Sequence, residues 1–231
     1  MIRDWMTHSA FFGLLLTIVA FEIGLLLKRK FHWSIFNAPF MSIVIVIAVL
    51  LICDIDYETY DSSAHYLSYF ITPATVCFAI PLYKQIVLLK KHLRAIIVAI
   101  MSGVLASMLT VFGLSLVFGF NHQLYVTLLP KSITTAVGME ISEMFGGYAT
   151  VTIVAICITG VLGNTFAETA CCIFRIHDPV ARGLSIGTCS HASGTTRAMM
   201  MGEIEGAMSS LAVVVACVFT VLVVSFLANL I

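Results

Sequence analysis

Three short stretches of this chain hold side chains able to do chemistry, and each interrupts an apolar run. The densest runs from Gly187 to Arg197 and is followed by Gly202 to Gly206. It gathers Ser190, His191, Ser193, Thr195, Thr196 and Arg197 within eight residues, with Glu203 and Glu205 just beyond. An imidazole takes and releases a proton near neutral pH. A guanidinium grips a carboxylate through two parallel hydrogen bonds. Glu203 and Glu205 are candidate counter-ions for Arg197, and His191 and Glu205 are candidates to carry a coupling proton. Gly187 and Gly194 permit unwinding or close helix approach. The competing reading is a satisfied polar interface, in which small residues pack and the imidazole bonds a carbonyl.

The second stretch, Leu128 to Thr135, contains Pro130, Lys131, Ser132, Thr134 and Thr135, then Gly138, Glu140, Glu143 and the pair Gly146-Gly147. An ammonium group at membrane depth is costly and normally faces a cavity or a partner. A helix starting near Ser132 would point free amides at whatever sits before it. Amides, hydroxyls and a lysine together suit an anion. Alternatively, Lys131 sits at a helix end and snorkels to the headgroups. The third stretch carries Pro73 and Pro81, which lack amide protons and interrupt a helical ladder. Thr72 and Thr75 are placed to satisfy the freed carbonyls, or the segment is a kinked helix with no ligand.

No enzyme is expected. Ser190 and His191 are adjacent and do not face each other on a helix, no matching acid is placed, and no metalloprotease, nucleophile-elbow or phosphate-loop motif occurs. None of the seven cysteines forms a CxxC pair, so they read as small packing residues, and Met199 to Met201 read as core filler. No metal or other cofactor is expected.

The elements that must position these residues are membrane helices. Of 231 residues, 60% are hydrophobic and 10% charged, against about 25% charged in a soluble domain. Mean hydropathy is +1.06. Lys plus Arg equals Asp plus Glu at 12 each, and no basic patch alternates with exposed aromatics, which argues against nucleic acid. Clear spans are 10–27, 35–53, 95–118, 149–174 and 207–231; segments 64–83, 124–147 and 183–202 are moderately apolar and punctuated. Lys28-Arg29-Lys30 after the first span reads as an anchor rather than a signal cleavage region. The chain thus reads as one all-α polytopic membrane domain over 1–231, with about six to eight membrane segments.

Basic residues collect in cytoplasmic loops. The clusters are 28–30, then Lys84, Lys90, Lys91 and Arg94, then Arg175 and Arg182, whereas Asp54, Asp56, Glu58 and Asp61 share a loop without Lys or Arg. If 124–147 crosses once, Arg175 and Arg182 fall outside; if it is re-entrant or discontinuous, they fall inside, as the rule prefers. The second case gives halves 35–118 and 149–231 with three crossings each in opposite sense, the pattern of an inverted-topology repeat.

The motifs resemble those of the LrgB/CidB/YohK family over nearly the whole length. The resemblance rests on Thr72-Pro73-Ala74 with Ile80-Pro81-Leu82-Tyr83, on Leu129-Pro130-Lys131-Ser132 with Thr134-Thr135, on Ala181-Arg182-Gly183-Leu184, on Gly187-Thr188 with Ser190-His191 and Gly194-Thr195, and on Glu205-Gly206-Ala207 with Ser209-Ser210-Leu211-Ala212. Two positions depart from the family pattern: Ala136 stands where proline is usual, and Thr196 where alanine is usual. The resemblance implies a multi-pass protein of the bacterial inner membrane, often accompanied by a smaller LrgA-like membrane partner. Members have been named antiholin-like regulators of murein hydrolases; others are linked to transport of pyruvate, glycolate or glycerate.

Together these readings predict a secondary transporter of small carboxylates, proton-coupled, embedded in the lipid bilayer and open to homo-oligomerisation. The expected cavity is lined by Thr72, Lys131, Ser132, Thr134, Thr135, Ser190, His191, Thr195 and Arg197. The alternative is a non-transporting antiholin-like regulator of a holin-type pore.

Overall fold

The computed structural model describes residues 9, 11–31, 38–70, 73, 76–77 and 79–231. Thr72 lies outside the described residues, as does Thr75. Among the described residues the secondary structure is helical, with no strand. By its internal contacts the chain divides into two compact units, Met1–Cys77 and Phe78–Ile231. The repeat half expected at 35–118 straddles that division.

The first unit pairs α1 (Phe12–Phe31) with α2 (Ala38–Ile52), and α3 (Tyr57–Ala64) packs back on α1. Gly24 lets α1 approach the main chain at Ala38. At the other end of α1, the Gly13 amide donates to Ser63 Oγ at 2.7 Å, and the Thr17 and Tyr60 hydroxyls lie 2.8 Å apart. Glu22 is exposed on α1.

The second unit contains α4 (Ala79–Lys84), α5 (Ile86–Phe118), α6 (His122–Leu128), α7 (Thr135–Met144), α8 (Ala149–Ile173), α9 (Pro179–Met201) and α10 (Glu203–Leu227). Three stretches are long and apolar enough to cross a bilayer: Lys90–Phe118 in α5, Ala149–Ile173, and Glu203–Leu230. Leu109, Val117, Val154, Ile158, Val218 and Leu222 stay exposed on them, a surface that suits lipid rather than water. Inward faces of α5, α6 and α10 form the main core, with Ile100, Met108, Tyr125, Met208 and Val224 fully buried.

The chain ends of these helices fall into two groups. Gly119, at φ 65°, ends α5 in the left-handed conformation that glycine tolerates, and Asn121 Oδ1 caps α6 by accepting from the Leu124 amide at 2.9 Å. Here Tyr125 donates to the Leu227 carbonyl at 2.9 Å, so α5 and α10 finish together. At the opposite end Lys84 Nζ lies 3.8 Å from Glu203 Oε1, and His92 and Asp178 border one cavity. Lys84, Lys90, Lys91, Arg94, Arg175 and Arg182 therefore share the end where α5, α9 and α10 begin and α8 finishes.

Two segments do not run straight. After α6 the chain turns through 129–134 and returns as α7; the Tyr148 amide donates to Thr127 Oγ1 at 2.8 Å, bringing the chain back beside α6. The second is α9, which is broken at His191 with φ 43° and ψ −142°. Its two arms, 179–190 and 192–201, fold back on each other. Ala198 shares a buried cluster with Ile186, and a Cβ on Gly194 would lie 3.0 Å from Ile186 Cγ2. A straight helix would separate residues eight apart by about 12 Å. Residues 179–201 start and finish at the same end, because the second arm must deliver the chain to α10 beside the start of the first. The break is also not at Gly187 or Gly194. Those glycines serve close approach, Gly187 to the Ser209 carbonyl and Ala212 of α10, and Gly194 to Ser190 and Ile186.

Both arms pack on α10: Gly183 and Gly187 of the first against Glu205, Met208, Ser209 and Ala212, and Met199 of the second against Gly206. Gly187→Val drives two methyl groups into α10 backbone, so its thermal unfolding in detergent is expected to fall by several degrees, an overpacking cost of about 1–3 kcal/mol. Gly113→Ala, whose added Cβ meets nothing within 4 Å, is expected to unfold with the parent. Equal loss in the two variants would contradict this packing.

Candidate functional site

The tips of the two fold-backs meet inside the second unit. In the 129–134 turn, Lys131 Nζ donates to Ser107 Oγ at 3.2 Å and to Ser132 Oγ at 3.0 Å, and the two hydroxyl oxygens are 3.1 Å apart. Ser107 lies eleven residues before the end of α5, about 16 Å along the helix axis. The turn therefore reaches the interior. Among the described residues no carboxylate lies within ion-pairing distance of Lys131. From α9, Thr188 and Cys189 approach the same place: Thr188 borders a small cavity with Ser107, Ser132 and Thr220, and Cys189 lies within electrostatic reach of Lys131. Four elements thus supply the group: α5, the turn, α9 and α10.

Thr134 stands at the start of α7 but does not cap it; its hydroxyl lies 4.0 Å from Cys217 Sγ of α10. Thr135 is the first residue of α7, so that helix starts three residues after Ser132 rather than at it. The first-turn amides of α7 carry no side-chain cap and belong to the same tip.

The tip of α9 is held by α8. His191 Nε2 donates to the Ile156 carbonyl at 3.1 Å, and Asn164 Nδ2 donates to the Ser193 carbonyl at 2.6 Å. Gly160 and Gly163 leave room for His191 and Ser190, where any Cβ would clash. Backbone groups freed by the break need such partners away from water. His191 is a non-glycine residue at positive φ, a conformation costing about 1–3 kcal/mol that persists only where its surroundings enforce it. His191 and Ser190 are buried at this tip, within four residues of Thr188 along the chain.

The remaining expected site residues lie elsewhere. Thr195 is fully buried in the second arm and bonds Ser209 Oγ at 2.8 Å and the His191 carbonyl at 3.0 Å. Arg197 pairs with Glu168 of α8 on a half-exposed face. Glu203 instead bridges Lys84, and Glu205 folds against Gly202 at the start of α10, so neither is the counter-ion of Arg197. Glu205 sits twelve residues from Cys217, about 18 Å down α10 from the Lys131 group. Sequence reasoning missed Ser107, Asn164 and Thr220, single polar residues inside apolar helices, and passed over Thr188. All seven cysteines are free, but only Cys171 is buried; Cys77, Cys157, Cys172 and Cys189 are exposed, so packing does not account for all of them.

These features define a polytopic helical membrane protein with a lysine and hydroxyl groups partly buried between two folded-back segments. The chain belongs to the LrgB-like family, whose family model matches residues 17–230. Among curated relatives, it is 37% identical over 223 residues to Antiholin-like protein LrgB of Bacillus cereus and to the protein of the same name from Bacillus anthracis, covering 94% of this chain and 95% of each relative. No solved structure matches it.

The Thr195–Ser209 bond ties the second arm of α9 to α10 in a dry setting. Thr195→Val and Ser209→Ala are each expected to cost about 1 kcal/mol in detergent unfolding. The double variant is expected to cost less than their sum, because one interaction is removed twice. Strict additivity would mean that the pair is not coupled.

Proposed function

We propose that this protein is a secondary transporter of small carboxylates of the 2-oxo or 2-hydroxy acid class, working in the bacterial inner membrane. One observation carries the reading: Lys131 lies in the interior, held by two serine hydroxyls and paired with no carboxylate among the described residues. Such a cation is stabilised when an anion joins it. In this reading the ammonium holds the carboxylate, and Ser132, Ser107 and Thr188 read the neighbouring oxygen. The uncapped start of α7 adds its partial positive charge. His191, at the tip facing α8, is the nearer of the two proton-coupling candidates; Glu205 is remote from the cation. Thr134, Thr135 and Ser190 line the approach to the tips, while Thr195 and Arg197 hold the fold-back in place.

The architecture supports alternating access. A crossing helix followed by a fold-back occurs twice, in 86–147 and in 149–201, the two entering from opposite ends. Re-entry of 122–147 and the inverted relation of these two parts are components of this proposal. They also put all the basic clusters of the second unit at one end, which the positive-inside rule makes cytoplasmic. Uptake of labelled pyruvate or glycolate into proteoliposomes holding only this chain is the direct test. Lys131→Ala is expected to lower the rate at least a hundredfold while the protein still inserts and elutes as the parent, and Lys131→Arg to retain part of it. Parent-rate uptake by Lys131→Ala would refute the site.

The name of the curated relatives favours a second reading, an antiholin-like regulator that acts by association with a small LrgA-like partner or another copy of itself. Arg197 and Glu168, charged and half-exposed on otherwise apolar helices, offer a surface for such contact. If lysis control survives Lys131→Ala but is lost in Glu168→Leu with Arg197→Leu, regulation through that face is the better account.

A further inference from the structure

Resting on the carrier reading, we propose that the cavity between α5 and the first arm of α9 is the route by which a small carboxylate reaches Lys131 from the basic end of the protein. The cavity holds about 740 Å³ and runs beside α5 from His92 to Ala106, about 21 Å of helix. Along α9 it runs from Asp178 to Thr188 and Cys189. Its outer mouth is thus at the end carrying Lys90, Lys91 and Arg94, and its inner end borders the Lys131 group.

Several features distinguish a route from a packing defect. Small side chains line both helices, Ala95, Ala99, Ser102 and Gly103 on one and Ala181 and Ser185 on the other, beside the larger Ile96, Val180 and Leu184. The small residues leave space between the helices that closely packed interiors normally fill. Liquid water takes about 30 Å³ per molecule, so this space accommodates a three-carbon acid together with a file of waters. Hydroxyl and thiol groups of Ser102, Ser185, Thr188 and Cys189 offer hydrogen bonds along the way. The lysines and arginine at the mouth raise the local concentration of anions. Asp178 opposes them, although its carboxylate is engaged at the start of α9, accepting from the Ala181 amide at 2.9 Å. The inner constriction is a single close approach: a Cβ on Gly103 would lie 2.9 Å from Thr188 Cγ2. Beyond it lie Ser107 and Ser132.

Cys189 reports on the inner end of this route. The experiment uses the full chain with Cys53, Cys77, Cys157, Cys171, Cys172 and Cys217 replaced by serine, in right-side-out and inside-out membrane vesicles. A cysteine substituted for Lys91 in a separate sample identifies the basic face. A membrane-impermeant anionic methanethiosulfonate is expected to modify Cys189 at least tenfold faster from the basic face. Ala99→Trp fills the cavity and is expected to slow modification tenfold or more. Ser185→Trp fills it from the other helix and serves if Ala99→Trp fails to insert. Val98→Trp, on a different face of α5, is expected to react as the parent. Modification at equal rates from both faces, or faster from the opposite face, or unchanged by both cavity-filling variants, overturns the route even in protein that takes up glycolate or pyruvate. Sided modification that these variants block, in protein taking up neither acid, overturns the carrier reading instead.

Discussion

Everything in the second unit depends on one requirement: a polar main-chain group removed from water must find a partner within the protein. Straight helices meet it internally, and α5, α8 and α10 do so with ordinary apolar sequence. The two fold-backs break the ladder and need help from outside. At the α9 tip the help comes from α8, where Asn164 bonds the Ser193 carbonyl and the Ile156 carbonyl receives His191. At the other tip, Thr127 accepts the Tyr148 amide, and Thr152 of α8 donates to the Thr127 carbonyl at 2.9 Å. One helix therefore secures both interruptions. This explains why α8 carries asparagine, threonine and two glycines along a face that would otherwise be aliphatic.

Once the tips are anchored, the polar group at Lys131 follows. The turn at Pro130 sets Lys131 and Ser132 against α5, and the first arm of α9 brings Thr188 to the same spot. Apart from the neighbours Lys131 and Ser132 the residues are far apart in sequence, and four elements contribute. The lysine is costly there unless the surroundings satisfy it. Two serine hydroxyls accept from it, and no carboxylate among the described residues pairs with it.

The helical, polytopic character was legible from composition, and the five clear apolar spans correspond to α1, α2, α5, α8 and α10. The interruption at Pro130 was legible too, since proline lacks an amide and clashes with the preceding turn. The fold-back of α9 was not. Its bend falls on His191, a non-glycine residue at positive φ, and it is imposed by Gly160, Gly163 and Asn164 about thirty residues away in sequence. The polar residues of 187–197 were rightly singled out, but helix spacing assigned them to a single cluster. Folding back sends Thr195 to α10 and Arg197 to Glu168, while Thr188 goes to Lys131. Ser107 and Thr220 carried no signal, because a lone hydroxyl in an apolar helix commonly bonds its own backbone one turn back.

The glycine contacts of α9 have a mechanical consequence. Gly183, Gly187 and Gly206 clamp both arms onto α10 at distances that leave no slack, whereas α5 touches α9 closely at Gly103 and elsewhere stands off across open space. The molecule is accordingly stiff on one side of α9 and compliant on the other. Thermal displacement of the arm pair should be borne with α10 as one body, and the seam along α5 is where the width of the interior can change at least cost.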